Sequence, residues 1–382
     1  MVMKPLIYAD NAATTRLDPL ALEAMVPFLQ DNFSNPSSVH SFGRTARKAV
    51  ESARQQIAEC IGAKPDEIFF TSCGTESNNW AIKGMAYALQ SRGLNLITSS
   101  IEHHAVLSCF AALESEGFST TLLPVDSYGL VSADDLRSAV SPQTTLVSIM
   151  TANNEVGTIQ NIKTLAAAVH QHPIVMHTDA IQAVGHIPID VADLAVDLLS
   201  ASAHKFNGPK GVGFLYRRNG VSLPSIMHGG HQESGIRAGT ENVAGIVGMA
   251  CALKNHVAAL NQNACHLDRL TALIKSRVLA FIPDAIFNGH PDQRLPGLIS
   301  LSLAGVSAES LLHLLDLKRI YVSAGAACNS RDTAISHVLQ SLNVPRDYSV
   351  GTLRISLSKD NTETEAHAIA DAIINFHPKL RK

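Results

Sequence analysis

Ser202-Ala203-His204-Lys205-Phe206-Asn207-Gly208-Pro209-Lys210-Gly211 follows directly on the apolar run Leu194-Ala195-Val196-Asp197-Leu198-Leu199. A buried strand that ends in a small-residue turn punctuated by Gly and Pro presents a lysine and a histidine at its carboxyl end. Upstream, the strand-like region His170 to Thr178 ends at Asp179. Ligands of α/β sheets bind outside the carboxyl ends of the strands, so this amine and this carboxylate can share one crevice. A lysine in a Gly/Pro loop is equally an ordinary solvated charge. What else converges on the crevice decides between the two.

Toward the N-terminus, the strand Ile68-Phe69-Phe70 within Asp66 to Thr71 runs into Ser72-Cys73-Gly74-Thr75-Glu76-Ser77-Asn78. That turn opens a helix with Ala81, Met85, Ala88 and Leu89 on its apolar face. Asn95 to Thr98 is a strand ending in Ser99-Ser100-Ile101-Glu102-His103-His104, with a helix from Ala105. Thr121 to Val125 and Thr145 to Met150 are further strands, the second ending in Thr151-Ala152-Asn153-Asn154-Glu155-Val156-Gly157. At the start of the chain, Leu6-Ile7-Tyr8 is a short strand, and Pro19 to Leu29 is a helix with Leu22, Met25, Val26 and Leu29 on one face. A longer amphipathic helix spans about Gly43 to Cys60 and is ended by Gly62. Strands alternating with helices predict a mostly parallel sheet covered on both faces.

Polar residues recur where those strands end: Thr75, His103, Asn154, Asp179 with Gln182, then Ser202, His204 and Lys205. In a parallel sheet these ends line one crevice. The strand, Gly74 turn and helix start form a candidate anion cup, because the first turn of a helix offers unpaired N–H groups and a positive dipole end. It is neither a Walker loop nor a dinucleotide fingerprint, and Ser and Thr at such places are also common helix caps. Lys205 therefore reads as a Schiff-base lysine for pyridoxal phosphate, with Asp179 as partner of the ring nitrogen.

Past Phe214-Leu215-Tyr216 comes a Gly-rich loop, His228 to Thr240, that contains Arg237, and then a helix from about Glu241 to Leu260 that bridges to a second unit. That unit holds strands at Leu298 to Leu303, Tyr321-Val322 and Leu353 to Leu357 and a helix around Ser307 to Leu317, a smaller α+β arrangement. Arg354 lies in an otherwise apolar or hydroxylic strand, where burial calls for an anion such as a substrate carboxylate. Cys328 sits among small and polar residues, whereas Cys60, Cys109, Cys251 and Cys265 lie in helical contexts and read as small buried hydrophobes.

Bulk composition excludes several classes. The 382 residues carry 30 Lys+Arg against 33 Asp+Glu, a net charge of -3, which gives no global reason to expect nucleic acid or a membrane surface. With 46% hydrophobic and 16% charged residues the chain has ample material for two or three cores. Six cysteines without a Cys-x-x-Cys pair signal neither a disulfide framework nor a zinc site, and the N-terminus lacks a signal-peptide core, so a cytoplasmic protein with reduced thiols is expected.

Taken together, Asp10-Asn11-Ala12-Ala13-Thr14-Thr15, Asn35-Pro36-Ser37-Ser38-Val39-His40, Gly74 to Asn78, Glu102-His103, Asn153 to Gly157, Asp179-Ala180-Ile181-Gln182, Ser202 to Lys205, Arg237-Ala238-Gly239-Thr240 and Ala327-Cys328 resemble, in order along the chain, the pyridoxal-phosphate-dependent cysteine desulfurases of the NifS/IscS type, first group. The resemblance implies PLP fold type I in the class V aminotransferase family. The large domain would span residues 15–260 around a mostly parallel seven-stranded sheet. The smaller α+β domain would combine 1–14 with 261–382 and carry a cysteine loop at about 323–335. It implies a homodimer that converts L-cysteine to L-alanine and passes sulfur through a Cys328 persulfide to an acceptor protein serving iron–sulfur cluster assembly, tRNA thiolation or DNA sulfur modification.

By the same resemblance Lys205 holds the cofactor and shuttles protons, Asp179 keeps the ring nitrogen protonated, and His103 stacks on the ring. Asn154 and Gln182 bind the phenolic oxygen. Gly74, Thr75, Ser202 and His204 take the phosphate with help from Thr240 of the partner subunit, and Arg354 and Asn35 hold the substrate carboxylate. Ser234, Asn329 and Arg331-Asp332 depart from the pattern, and the C-terminus stops short at Lys382, which bears on partner docking rather than chemistry. Other readings are a selenocysteine lyase, another PLP-dependent class V aminotransferase or lyase that would not need Cys328, and a cofactor-free scaffold.

Overall fold

The computed structural model describes residues 6–324 and 335–381; Cys328 and the departures at Asn329 and Arg331-Asp332 lie outside the described residues. The chain begins with β1 (Ile7–Tyr8), α1 (Pro19–Gln30) and α2 (Ser41–Cys60). There follow β2 (Ile68–Thr71), α3 (Gly74–Leu89), β3 (Asn95–Ser99), α4 (His104–Ser115) and β4 (Ser119–Leu123). Next come α5 (Ala133–Ala139), β5 (Thr144–Ser148), α6 (Ile162–Val169), β6 (Val175–Asp179), α7 (Val191–Leu194), β7 (Leu198–Ser202) and β8 (Gly213–Arg217).

Strands β2 to β8 make one seven-stranded sheet in the order β2-β8-β7-β6-β5-β3-β4. Only β8 runs antiparallel to its neighbours; the pairings from β7 to β4 are parallel. The expected mostly parallel, two-sided sheet is present, and its central strands β5 and β7 are buried along their whole length, as helices on both faces require. On one face α2, α6 and α8 (Val243–Ala258) contribute Val50, Ile57, Leu165 and Ile246 to the core. On the other, α3 and α4 contribute Trp80, Ile82, Phe110 and Leu113.

The helix expected from about Glu241 to Leu260 is α8, and a second helix follows it directly. α8 ends at Ala258, and α9 (Leu260–Phe281) leaves at a bend of 70°. The cause is packing: α8 buries Ile246, Met249 and Leu253 against the large sheet, while α9 buries Leu270, Ile274 and Val278 in a different core. One straight rod cannot face both.

That second core is built on β9 (Ile286–Asn288), β10 (Leu298–Ser302), α10 (Ala308–Asp316), β11 (Ile320–Tyr321), β12 (Ser323–Ala324), α11 (His337–Ser341), α12 (Arg346–Ser349), β13 (Thr352–Ser356) and α13 (Glu363–Leu380). Its antiparallel sheet has the order β12-β13-β10-β9. β1 pairs with β11 in parallel, and Asp10 bridges to Ser356 beside it. The N-terminal segment thus leaves the second sheet at Asp10 and reaches the ends of the large sheet a few residues later.

Three expectations differ in detail. Helix α1 does not turn Leu22, Val26 and Leu29 inward; Leu22 and Leu29 are 49% and 59% exposed, and only Ala21 is buried. The helix lies close on α8, with Met25 against Gly248, so small residues make the contact and the leucines face out. The strand before Asp179 begins at Val175, because His170 to Ile174 caps and turns out of α6. In α3 the buried face is Trp80, Ala81, Ile82 and Met85, with Ala88 exposed.

Candidate active site

The carboxyl ends of β2, β3, β5, β6 and β7 and the middle of β13 surround one cavity of about 340 Å³. Asp179, the last residue of β6, is buried there; its Oδ2 accepts from Asn78 Nδ2 at 2.7 Å and its Oδ1 from the Ile181 amide at 3.0 Å. Burial pushes the Asp179 carboxyl up, against the pull of those two donors. Lys205 stands across from it in the single helical turn Ala203–Lys205 that ends β7. Its Nζ donates to the carbonyls of Ala12 (2.6 Å) and Ala13 (2.9 Å), and the carbonyl of Lys205 itself accepts from His186 Nε2 at 2.9 Å.

His103 is the N-cap of α4. Its Nδ1 accepts from the Ala105 amide at 3.0 Å, which leaves the proton of the neutral ring on Nε2. Burial lowers its pKa. His204, with Nδ1 on Thr14 Oγ1 at 3.1 Å, is pushed down to about 4 by burial and then by Lys205, so it is neutral near pH 7.

The anion cup takes shape at the start of α3. Its N-cap, Cys73, makes no side-chain capping bond, so the capping reading of this turn does not hold. Beside it the buried hydroxyl of Ser202 has no hydrogen-bond partner among the described residues. Uncapped amides, the positive end of a sixteen-residue helix and an unused hydroxyl together suit a phosphate. Gly74 keeps the turn close to the β6 loop: a Cβ there would lie 2.1 Å from Ile181 Cδ1. Thr75, Ser202 and His204 all line the cavity.

Gln182 and Asn154 line it too. Gln182 Nε2 donates to Ala12 O at 2.9 Å. Neighbouring Asn153 is consumed structurally: its side chain donates to Ile101 O and accepts from the amides of Glu155 and Val156. Asn154 is thereby turned to the cavity.

Arg354 enters from the second sheet, 3% exposed. Among the described residues the anion it meets is Asp10, whose Oδ1 takes Nη2 at 2.9 Å; Nη1 donates to Asn154 O at 3.1 Å, and Nε has no hydrogen-bond partner among them. Asn35 and Thr240 are exposed and do not line this cavity; Asn35 Oδ1 instead caps the Ser37 amide at 2.8 Å. Ser234 adopts a left-handed conformation (φ 58°) next to Glu233, whose buried carboxylate forks onto Arg54. Cys265 is exposed, contrary to the expectation of burial, whereas Cys109 is buried and its thiol is pushed up to about 12.

Residues without an assigned role on sequence alone also belong to the site. Asn78 and Asp10 hold the two charged groups just described, and Cys73 places a thiol on the cavity wall. Glu102, next to His103, is fully buried and pushed up to about 8 by burial. It ties β3 to β5, its Oε1 accepting from Ser99 Oγ (2.6 Å) and the Met150 amide (2.9 Å). Among the described residues there is no cluster suited to a metal ion, and no single helix is long and apolar enough to cross a membrane.

Residues 7–369 match the aminotransferase class-V family. The chain belongs to that family. Within it, the chain is 48% identical to the "Cysteine desulfurase IscS" of Methanosarcina thermophila, over 98% of this chain and 93% of the relative. Among solved structures, a "NifS-like protein" superposes with a TM-score of 0.93 at 40% identity, covering 98% of this chain and all of the other. "SspA in complex with cysteine" superposes with a TM-score of 0.81 at 35% identity, over 93% of this chain and 100% of the other. The class V membership agrees with the fold and family expected from the motifs.

Proposed function

We propose that the protein is a cysteine desulfurase that converts L-cysteine to L-alanine, with pyridoxal phosphate held at Lys205 and Cys328 as first sulfur acceptor. The observation that carries this reading is the convergence of Lys205, Asp179, His103 and the unpartnered Ser202 hydroxyl on one cavity that Arg354 enters from the second sheet. The desulfurase relatives, and a related structure whose name includes cysteine, support the same reaction and substrate.

The cofactor, when bound, supplies an electron sink for charge developing at the substrate's α carbon. Asp179, fixed by Asn78 and Ile181, would hold a proton at the ring nitrogen, and His103 would stack on the ring. The α3 N-terminus, Thr75, Ser202 and His204 would bind the phosphate, and Asn154 and Gln182 would take the phenolic oxygen. Arg354 orients the substrate by its carboxylate. Lys205, released by the incoming amine, has the Ala12 and Ala13 carbonyls as a resting place for its ammonium and moves protons at the α and β carbons. The Cys328 thiolate attacks the substrate sulfur: a sulfur–sulfur bond forms, the carbon–sulfur bond breaks, and the β carbon takes a proton to leave alanine.

The reading includes a homodimer in the cytoplasm. Leu20, Leu22, Leu29, Phe33 and Val39 form an exposed apolar stretch suited to a second copy, and Thr240 lies outside its own cavity, free to serve that of the partner. It also includes a large unit of residues 15–260 and a smaller one of 1–14 with 261–382, supported by the separate apolar cores. The final acceptor is a sulfur-carrying or scaffold protein. The test is to incubate the yellow, cofactor-loaded protein with L-cysteine and measure alanine together with the mass of the Cys328 peptide. One added sulfur and stoichiometric alanine are expected; no alanine, or normal turnover by Cys328→Ser, overturns the reading.

A further inference from the structure

The guanidinium of Arg354 is almost wholly buried, and its ion-pair partner is a carboxylate of the same chain. Asp10 Oδ1 holds Nη2 at 2.9 Å, Asn154 O takes Nη1 at 3.1 Å, and Nε has no hydrogen-bond partner among the described residues. A carboxylate can grip a guanidinium in a fork in two ways, through Nη1 with Nη2 or through Nε with Nη2. Both forks use Nη2, the nitrogen that Asp10 occupies. A carboxylate arriving from the cavity can therefore fork onto Arg354 only by sharing Nη2 with Asp10 or displacing it, and it does so beside a second negative charge.

Asp10 cannot readily swing aside. The Asn11 amide and side chain both bond to Ser356 O, the Ser356 amide bonds to Ala9 O, and Ser356 Oγ accepts from the Ala12 amide. Tyr8 Oη donates to the carbonyls of Asp10 and Thr14. The segment is thus pinned on both sides of Asp10 to β13, the strand that bears Arg354.

We propose that Asp10 is a built-in competitor for the substrate's α-carboxylate: a positioning residue that acts through Arg354 to neutralise it at rest and to weaken carboxylate binding, so that the product amino acid is released. This rests on the reading that Arg354 receives that carboxylate. Its sign is unusual. Damage to a positioning contact ordinarily weakens binding, whereas loss of the Asp10 charge here strengthens it, because Arg354 then has an unbalanced positive charge for the ligand alone.

The experiment is a spectral titration of the cofactor-loaded protein with L-alanine, which carries the carboxylate, and with ethylamine, which lacks it. The ratio of the two dissociation constants isolates the carboxylate's contribution. Asp10→Asn, which keeps the shape and an acceptor oxygen, is expected to tighten L-alanine by about tenfold with ethylamine unchanged, and to lower KM for L-cysteine together with kcat as product release slows. Asp10→Glu, which keeps the charge, is expected to stay near the wild-type ratio. Weaker or unchanged L-alanine binding in Asp10→Asn overturns the proposal. If Asp10→Asn does not fold, Asp10→Ala takes its place with the same sign expected. Wild-type protein that binds L-alanine no better than ethylamine would instead refute the carboxylate role of Arg354, a failure of the functional reading and not of Asp10.

Discussion

Asn78 Nδ2 donates to Asp179 Oδ2 at 2.7 Å inside a buried pocket, linking the second turn of α3 to the end of β6. In the proposed reading one helix would serve two ends of the cofactor: its first turn would face the phosphate, and its fifth residue steadies the carboxylate assigned to the ring nitrogen. Burial raises the pKa of Asp179, and this bond and the Ile181 amide oppose the rise. Asn78→Ala removes one of two donors, so Asp179 holds its own proton to higher pH and gives the ring nitrogen a weaker anionic partner. We expect kcat to fall on the order of tenfold with KM for L-cysteine little changed, and the low-pH limb of the kcat profile to move upward. Unchanged kcat and pH profile would falsify this role.

Among the described residues Ser202 Oγ is buried with no partner, an unpaired group that the proposed reading assigns to the phosphate. Ser202→Ala should therefore leave the melting temperature of the cofactor-free protein equal or slightly raised while weakening pyridoxal phosphate binding by roughly tenfold, the value of a hydrogen bond to a charged group. Equilibrium dialysis and a thermal melt measure the two quantities. A destabilised cofactor-free variant with normal cofactor affinity contradicts the assignment.

Arg354 offers a planar fork that lysine cannot reproduce. Arg354→Lys is expected to raise KM for L-cysteine about tenfold or more, with a smaller effect on kcat, since the lost contact is made in ground and transition states alike. Steady-state kinetics over a wide cysteine range decide it; an unchanged KM places the substrate carboxylate elsewhere.

The strand ends were legible because an apolar run stopped by a Gly- or Pro-containing turn is a local signal, and in a parallel sheet local signals share one edge. Lys205, Asp179, His103 and Ser202 were therefore found together. What could not be read was whatever depends on a partner distant in sequence. Asp10 and Arg354 meet across 344 positions, and nothing near either names the other. Helix α1 carries a leucine pattern that reads as inward, yet the small residues Ala21 and Gly248 let it press on α8 from its other side. The bend between α8 and α9 carries no Gly or Pro; it arises because the two helices belong to different cores.

Glu102 makes stability depend on pH with a definite sign. Its carboxyl is pushed from the ordinary 4.5 up to about 8 by burial, so the folded chain keeps a proton that the unfolded chain releases. Stability from this group is complete below about pH 4.5 and is lost as pH rises toward 8. Glu102→Gln is neutral at every pH and retains an oxygen to accept from Ser99 and Met150. The variant should melt close to wild type near pH 5 and a few degrees higher, on the order of one kcal/mol or more, near pH 8.5. Buried histidines act in the opposite window: His177, His204 and His256, lowered to about 3, 4 and 4 by burial, cost stability as pH falls below their ordinary 6.5. Melting curves of both proteins from pH 5 to 9 separate the two effects, because only the alkaline loss should disappear in Glu102→Gln. If the alkaline slopes coincide, Glu102 is ionised in the folded protein and the burial argument for its proton is wrong.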